Sequence, residues 1–144
     1  MRFRKLHSAP SVYILCFDKG DMFLEGLLGF ARGEGLSGAS FSGLGAFSRG
    51  ELAFFNRETN EYDPIPVEEQ VEVLNITGNI ALFEGEPRIH AHATLSRPDG
   101  TTLGGHLVDA EVWPTLEITL IETDGTIERK IDEETELALI RIQN

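Results

Sequence analysis

The chain is poor in cysteine, lacks long apolar runs, and carries few basic residues for its length. Its only cysteine, Cys16, sits in the run Val12-Tyr13-Ile14-Leu15-Cys16-Phe17. A single thiol excludes an intrachain disulfide, so nothing ties the chain to an oxidising compartment. In that apolar setting Cys16 reads as a small buried hydrophobe rather than a nucleophile or a ligand. No apolar stretch approaches the roughly 20 residues that a membrane helix needs. The start, Met1-Arg2-Phe3-Arg4-Lys5-Leu6-His7, has basic residues but no apolar signal-peptide segment behind it. The expectation is a cytoplasmic protein with no membrane association. Asn75-Ile76-Thr77 matches a glycosylation sequon, which without a secretion route is read as chance.

Twelve basic residues stand against 24 acidic ones, a net charge of −12. Affinity for DNA comes largely from Lys and Arg displacing counterions along the phosphates. Here the basic residues are scattered apart from Arg2, Arg4 and Lys5, which argues against autonomous, tight DNA binding. The 41% apolar content over 144 residues is enough to bury one core without staples, so residues 1–144 are read as one domain.

Val12 to Phe17 is a continuous apolar run and predicts a buried strand. Asp21 can cap a following helix, whose apolar face is Met22, Phe23, Leu24, Leu27, Leu28, Phe30 and Ala31, and Gly33 and Gly35 can stop it. Gly26 and Gly29 weaken that helix and suggest close packing on a sheet. Strands are expected at Ala39 to Leu44, Gly50 to Asn56, Val71 to Thr77 continuing through Ile80 to Phe83, Arg88 to Ser96, Thr102 to Val108, and Leu116 to Glu122. Asn60 to Ile65 has turn character, Asp124-Gly125 is a hairpin signal, and Leu137 to Ile142 can close the sheet. The sum is an α+β fold, one main helix on a large, mostly antiparallel sheet.

The segment from Arg88 to Val108 carries the chemistry. Strand side chains alternate faces, so Ile89, Ala91, Ala93 and Leu95 share an apolar face and Arg88, His90, His92, Thr94 and Ser96 a polar one. Pro98-Asp99-Gly100 suits a three-residue hairpin loop with Gly100 left-handed. Arg97 then pairs with Thr101, Leu95 with Leu103, Ala93 with Gly105, Ala91 with Leu107, and His92 with His106, with His90 diagonal to His106. Directly opposite Cβ atoms lie about 4.5–5.5 Å apart, so three imidazoles converge. Three histidines with an open position suit zinc or a similar divalent ion. The plainer alternative is three solvent-facing histidines on a sheet. Against it, three of the four histidines in the chain fall in this hairpin, and the fourth, His7, is near the terminus. A closed structural site would want a fourth ligand, for which Glu117 is a candidate.

Ser42-Gly43-Leu44-Gly45-Ala46-Phe47-Ser48 has a glycine pattern, but Arg49 to Phe55 reads as strand where a dinucleotide fingerprint needs a helix. The loop is read as a tight strand connection, with backbone approach to a ligand or neighbouring subunit as the alternative. Gly43-Leu44-Gly45-Ala46-Phe47-Ser48, Leu74-Asn75-Ile76-Thr77-Gly78-Asn79-Ile80-Ala81, His90-Ala91-His92-Ala93, Gly104-Gly105-His106-Leu107 and Glu111-Val112-Trp113-Pro114-Thr115-Leu116-Glu117 follow in one order. Together, from about Ala9 to Ile142, they resemble the plants-and-prokaryotes-conserved (PPC) domain family. The resemblance implies a compact α+β domain that forms a homotrimer, and kinship with the acetolactate-decarboxylase-like fold, whose enzymes hold zinc through a matching histidine set. It therefore implies His90, His92 and His106 as metal ligands. Prokaryotic members are often described as DNA-binding. Plant members carry AT-hook segments, and this chain has no Arg-Gly-Arg-Pro core.

Three functions remain open at this level. The first is a trimeric metal-binding domain acting on or sensing a small molecule. The second is a transcription-associated, DNA-binding protein. The third is a metal-dependent lyase or hydrolase, with Glu117 as an acid–base group if it faces the histidines and Arg88 or Arg97 as an anion clamp.

Overall fold

The computed structural model describes residues 1–8 and 10–142, with the side chains of residues 3–8 outside the description. Its elements in chain order are β1 (Arg2–Ser8), β2 (Ser11–Asp18), α1 (Phe23–Glu34), β3 (Gly38–Asn56), β4 (Glu61–Val67), β5 (Val71–Phe83), β6 (Glu86–Ser96), β7 (Thr102–Glu122), β8 (Glu128–Ile131) and β9 (Ala138–Arg141). One helix thus packs on a nine-stranded, mostly antiparallel sheet, an α+β architecture.

The helix begins differently from the expectation. Asp21 does not cap it: its carboxylate accepts the Asp18 N–H. The cap comes from across the fold, where Asp109 on β7 accepts the Leu24 N–H at 3.1 Å. A distant carboxylate thereby does what a local cap does elsewhere, satisfying an orphan donor at the positive end of the helix dipole. The helix stops as expected, with Gly35 left-handed and the Leu36 N–H bonded to the Ala31 carbonyl at 2.9 Å. Phe23, Leu27, Phe30 and Ala31 are buried against the sheet. Phe23 meets Phe17 of β2 edge-on, with ring centroids 5.2 Å apart. Burying each such large side chain contributes about 1.5–3 kcal/mol.

Two pairs of expected strands are single long strands. Ala39 to Leu44 and Gly50 to Asn56 are the two halves of β3, and Thr102 to Val108 and Leu116 to Glu122 are the two ends of β7. Both strands bend through bulges, with register shifts at Gly43/Gly45, Gly45/Phe47, Phe47/Arg49 and Glu51/Leu52. A Cβ on Gly43 would stand 2.2 Å from the Glu117 carbonyl oxygen, so the glycine pattern exists to let β7 approach. The bends let ladders run from β3 to β5, β5 to β6, β6 to β7 and back to β3, so this part of the sheet closes on itself.

Three further expectations are corrected. Asn60 to Ile65 is not a turn. Glu61–Val67 forms β4, which among the described residues pairs only with β3 and so tolerates Pro64 and Pro66 as an edge strand does. Asp124-Gly125 does not make a hairpin. The chain instead crosses to β8, which pairs in parallel with β5 at Leu82↔Glu128. Leu137 to Ile142 does end the sheet as expected, with Ala138–Arg141 forming β9 beside β8. Cys16 is half-buried, because β2 alternates, burying Tyr13, Leu15 and Phe17 on one face.

Candidate metal centre

The hairpin β6–β7 has the register that the turn length implies. Ser96 pairs with Thr102, Leu95 with Leu103, Ala93 with Gly105 and His92 with His106. The Arg97 N–H bonds to the Thr101 carbonyl at 2.9 Å, and Gly100 is left-handed at φ 80°. Ala91, Ala93, Leu95 and Leu107 are buried, which pins the apolar face inward and the histidines outward. The His92↔His106 rung ends this ladder. Beyond it β7 turns to β3, where Leu107 pairs with Leu52 rather than with Ala91 as the hairpin alone would give.

Three imidazoles meet on the polar face. One nitrogen from each of His90, His92 and His106 lies within 4.8 Å of the others. The Nε2 atoms of His90 and His92 are 3.3 Å apart, and the ring centroids of His106 lie 5.2 Å from His90 and 5.5 Å from His92. Tetrahedral bonds of about 2.05 Å separate ligand nitrogens by about 3.3 Å, so this donor set fits a divalent ion. Protonation favours it too. Burial, then the neighbouring imidazoles and Arg88, hold His106 down at about 4. Burial, His92 and Arg129 lower His90 from its ordinary value. Neutral imidazoles with a free lone pair are what a cation needs. His106 Nδ1 is buried with no hydrogen-bond partner among the described residues, an unsatisfied polar atom of the kind an ion resolves.

The surroundings hold residues that the sequence reading did not select. Tyr62 of β4 stacks on His106 with ring centroids 4.7 Å apart, and it was hidden inside a segment read as a turn. Arg129 of β8 donates to the Ala138 carbonyl at 2.9 Å and to Asn79, whose strand position is opposite His90. Nothing in Glu128–Ile131 signals a strand or a site, so no pattern in the sequence could have found it. Arg88, exposed on the histidine face as parity required, lines the same cavity as His90, His106, Tyr62 and Arg129.

Two of the proposed helpers lie elsewhere. Glu117 sits on β7 between Cys16 and Leu44, eleven residues past His106 and on the order of 30 Å along the strand. It lines a separate hollow with Ile14, Ser42, Leu44 and Leu74. Within one chain it lies too far from the histidines to complete their set or to serve as their acid–base group. Arg97, at the turn end of β6, is ion-paired with Glu69 at 2.7 Å.

The Plants and Prokaryotes Conserved (PCC) domain matches residues 4–124. The fold is similar to a crystal structure from Bacteroides thetaiotaomicron described as a putative DNA binding protein, with a TM-score of 0.92 and 28% identity over 97% of this chain and 96% of that one. It is similar to a structure from Archaeoglobus fulgidus described as a metal-containing protein, with a TM-score of 0.86 and 28% identity over 98% and 97% of the two chains. A Staphylococcus aureus protein described as similar to alpha-acetolactate decarboxylase shares the fold alone, at a TM-score of 0.58 and 12% identity over 84% of this chain and 53% of that one. Among curated proteins none matches this sequence. With the match spanning both strands of the histidine hairpin, the chain belongs to the Plants and Prokaryotes Conserved domain family.

Proposed function

We propose that the protein binds a divalent metal, zinc or a similar ion, through His90, His92 and His106, and works as a homotrimer whose site serves a small-molecule ligand. The convergence of one nitrogen from each of three imidazoles within 4.8 Å is the observation that carries this reading. The metal-containing relative from Archaeoglobus supports it. Bound there, a divalent ion would supply a Lewis-acidic positive centre. The chain supplies the rest. Tyr62 holds the His106 ring, the inward packing of Ala91 and Ala93 holds the strand bearing His90 and His92, and a cavity opens beside His90 and His106. Trimer formation rests on the family resemblance, and the exposed apolar side chains Leu44, Leu74 and Ile121 offer a surface to cover.

The test is metal titration of the stripped protein alongside its native mass. The reading expects saturation at one ion per chain and a particle three times the chain mass. His92→Ala, at an exposed position, should cut affinity at least a hundredfold without unfolding. Equal affinity in that variant would contradict the site.

DNA binding is the second reading, supported by the description of the Bacteroides relative. The net charge of −12 weighs against it, and the side chains of Arg4 and Lys5 lie outside the described residues. A steep fall of affinity with salt would support it, and no retardation of DNA at low salt would remove it. The lyase or hydrolase reading loses its named acid–base group, since no carboxylate lines the cavity beside the histidines among the described residues.

A further inference from the structure

A cavity of about 120 Å³ opens beside the histidines, several times the ~30 Å³ share of one water. Its charge is one-sided. Arg129 is only 7% exposed, yet no carboxylate pairs with it among the described residues. Of its five N–H donors, one goes to the Ala138 carbonyl and one to the Asn79 side-chain oxygen, and its Nε is buried without a partner. Arg88, on the same cavity wall, has no ion pair among the described residues either, and its guanidinium lies over the Phe83 ring at 5.3 Å. Both arginines line the cavity together with His90 and His106.

A buried charge is costly unless something of opposite sign meets it. The chain spends 24 acidic residues elsewhere and none on this wall. A bound cation at the histidines would deepen the excess. The complement therefore comes from outside, and two guanidinium groups are suited to the planar fork of a carboxylate. The remaining wall is apolar, formed by Ile89, Leu137, Ala138 and Leu139 with the Tyr62 ring. An inorganic anion would leave that half unmatched.

We propose that this cavity binds a small organic carboxylate, with Arg129 and Arg88 facing its carboxylate group and the Leu137, Leu139 and Tyr62 side chains packing against its short apolar body. The inference rests on the three-histidine reading for its role but not for its anion contacts, which belong to the two arginines. It gives the metal site a ligand class and places the anion contacts on Arg129 of β8 and on Arg88 of β6, two residues before His90.

The test is calorimetric titration of propionate into the zinc-loaded and the metal-stripped protein, with inorganic phosphate as comparator. The expected result is saturable binding of one propionate per chain, tighter than phosphate. Arg88→Gln, at an exposed position that leaves the fold intact, should weaken it at least tenfold, and Arg129→Lys should do likewise with zinc content unchanged. Absence of saturable binding to either form of the wild-type protein overturns the proposal. So does unchanged affinity in both arginine variants, or phosphate binding more tightly than propionate. If zinc fails to bind while the stripped protein still takes propionate with the same arginine dependence, the metal reading falls and this one stands.

Discussion

Replacing Gly29 with alanine is expected to stabilise the protein, while the same change at Gly26 is not. Both glycines lie in α1, where alanine is favoured over glycine by about 0.8–1.0 kcal/mol. At Gly29 a new Cβ meets nothing within 4 Å, so the full gain should appear. At Gly26 the Cβ would stand 2.9 Å from the Phe17 Cε1 atom, against a comfortable separation of about 3.5–4.0 Å. Phe17 is fully buried and wedged edge-on against Phe23, so its ring has no room to retreat. Overpacking of this kind costs about 1–3 kcal/mol, which cancels or exceeds the helix gain. The two variants should therefore differ by about 1–3 kcal/mol, with Gly29→Ala above wild type and Gly26→Ala at or below it. At this chain length that is about 2–4 °C in Tm per kcal/mol, and urea midpoints at unchanged slope would give the same order. Equal stabilisation in both variants would refute the claim that helix and sheet touch at Gly26.

Acid should weaken the metal-stripped protein through His106. Its folded value of about 4 lies below the ordinary 6.5, so the unfolded chain binds more protons between those pH values. Stability should fall as pH drops from 6.5 toward 4, and His106→Gln should show a shallower fall in paired denaturation curves; parallel curves would count against a buried neutral imidazole. Tyr62→Ala should loosen the His106 ring and lower metal affinity about 10–100-fold, while Tyr62→Phe keeps it, as a competition titration would show. Asp109→Ala should cost about 1 kcal/mol in urea denaturation by removing the side-chain acceptor of the Leu24 N–H at the start of α1; no change would mean that this N–H finds another acceptor.

The local parts of the site were legible and the distant parts were not. The apolar face of β6 and the length of the Pro98-Asp99-Gly100 turn were enough to set the His92↔His106 rung, because a one-residue slip would expose Leu95 and Leu103's face to water. The helix stop at Gly35 was equally local. What failed depends on contacts far apart in sequence. Asp109 caps α1 from 85 residues away, which no local pattern records. Pro64 and Pro66 imitate a turn, yet an edge strand needs only one row of donors. The breaks expected in β3 and β7 are bulges in continuous strands, since glycine allows the close approach that bends them. Glu117 stands far from the histidines because β7 runs on as one strand for eleven residues past His106. Arg129 reaches the site only through the parallel pairing of β8 with β5.

The function proposed for this fold depends on the three imidazoles holding an ion. The most direct measurement is the metal content of the purified protein beside that of a variant with His90, His92 and His106 all changed to alanine, each checked for fold by far-ultraviolet circular dichroism. One divalent ion per chain is expected in the first and none in the second, with matching spectra. Full metal content in the triple variant would contradict it.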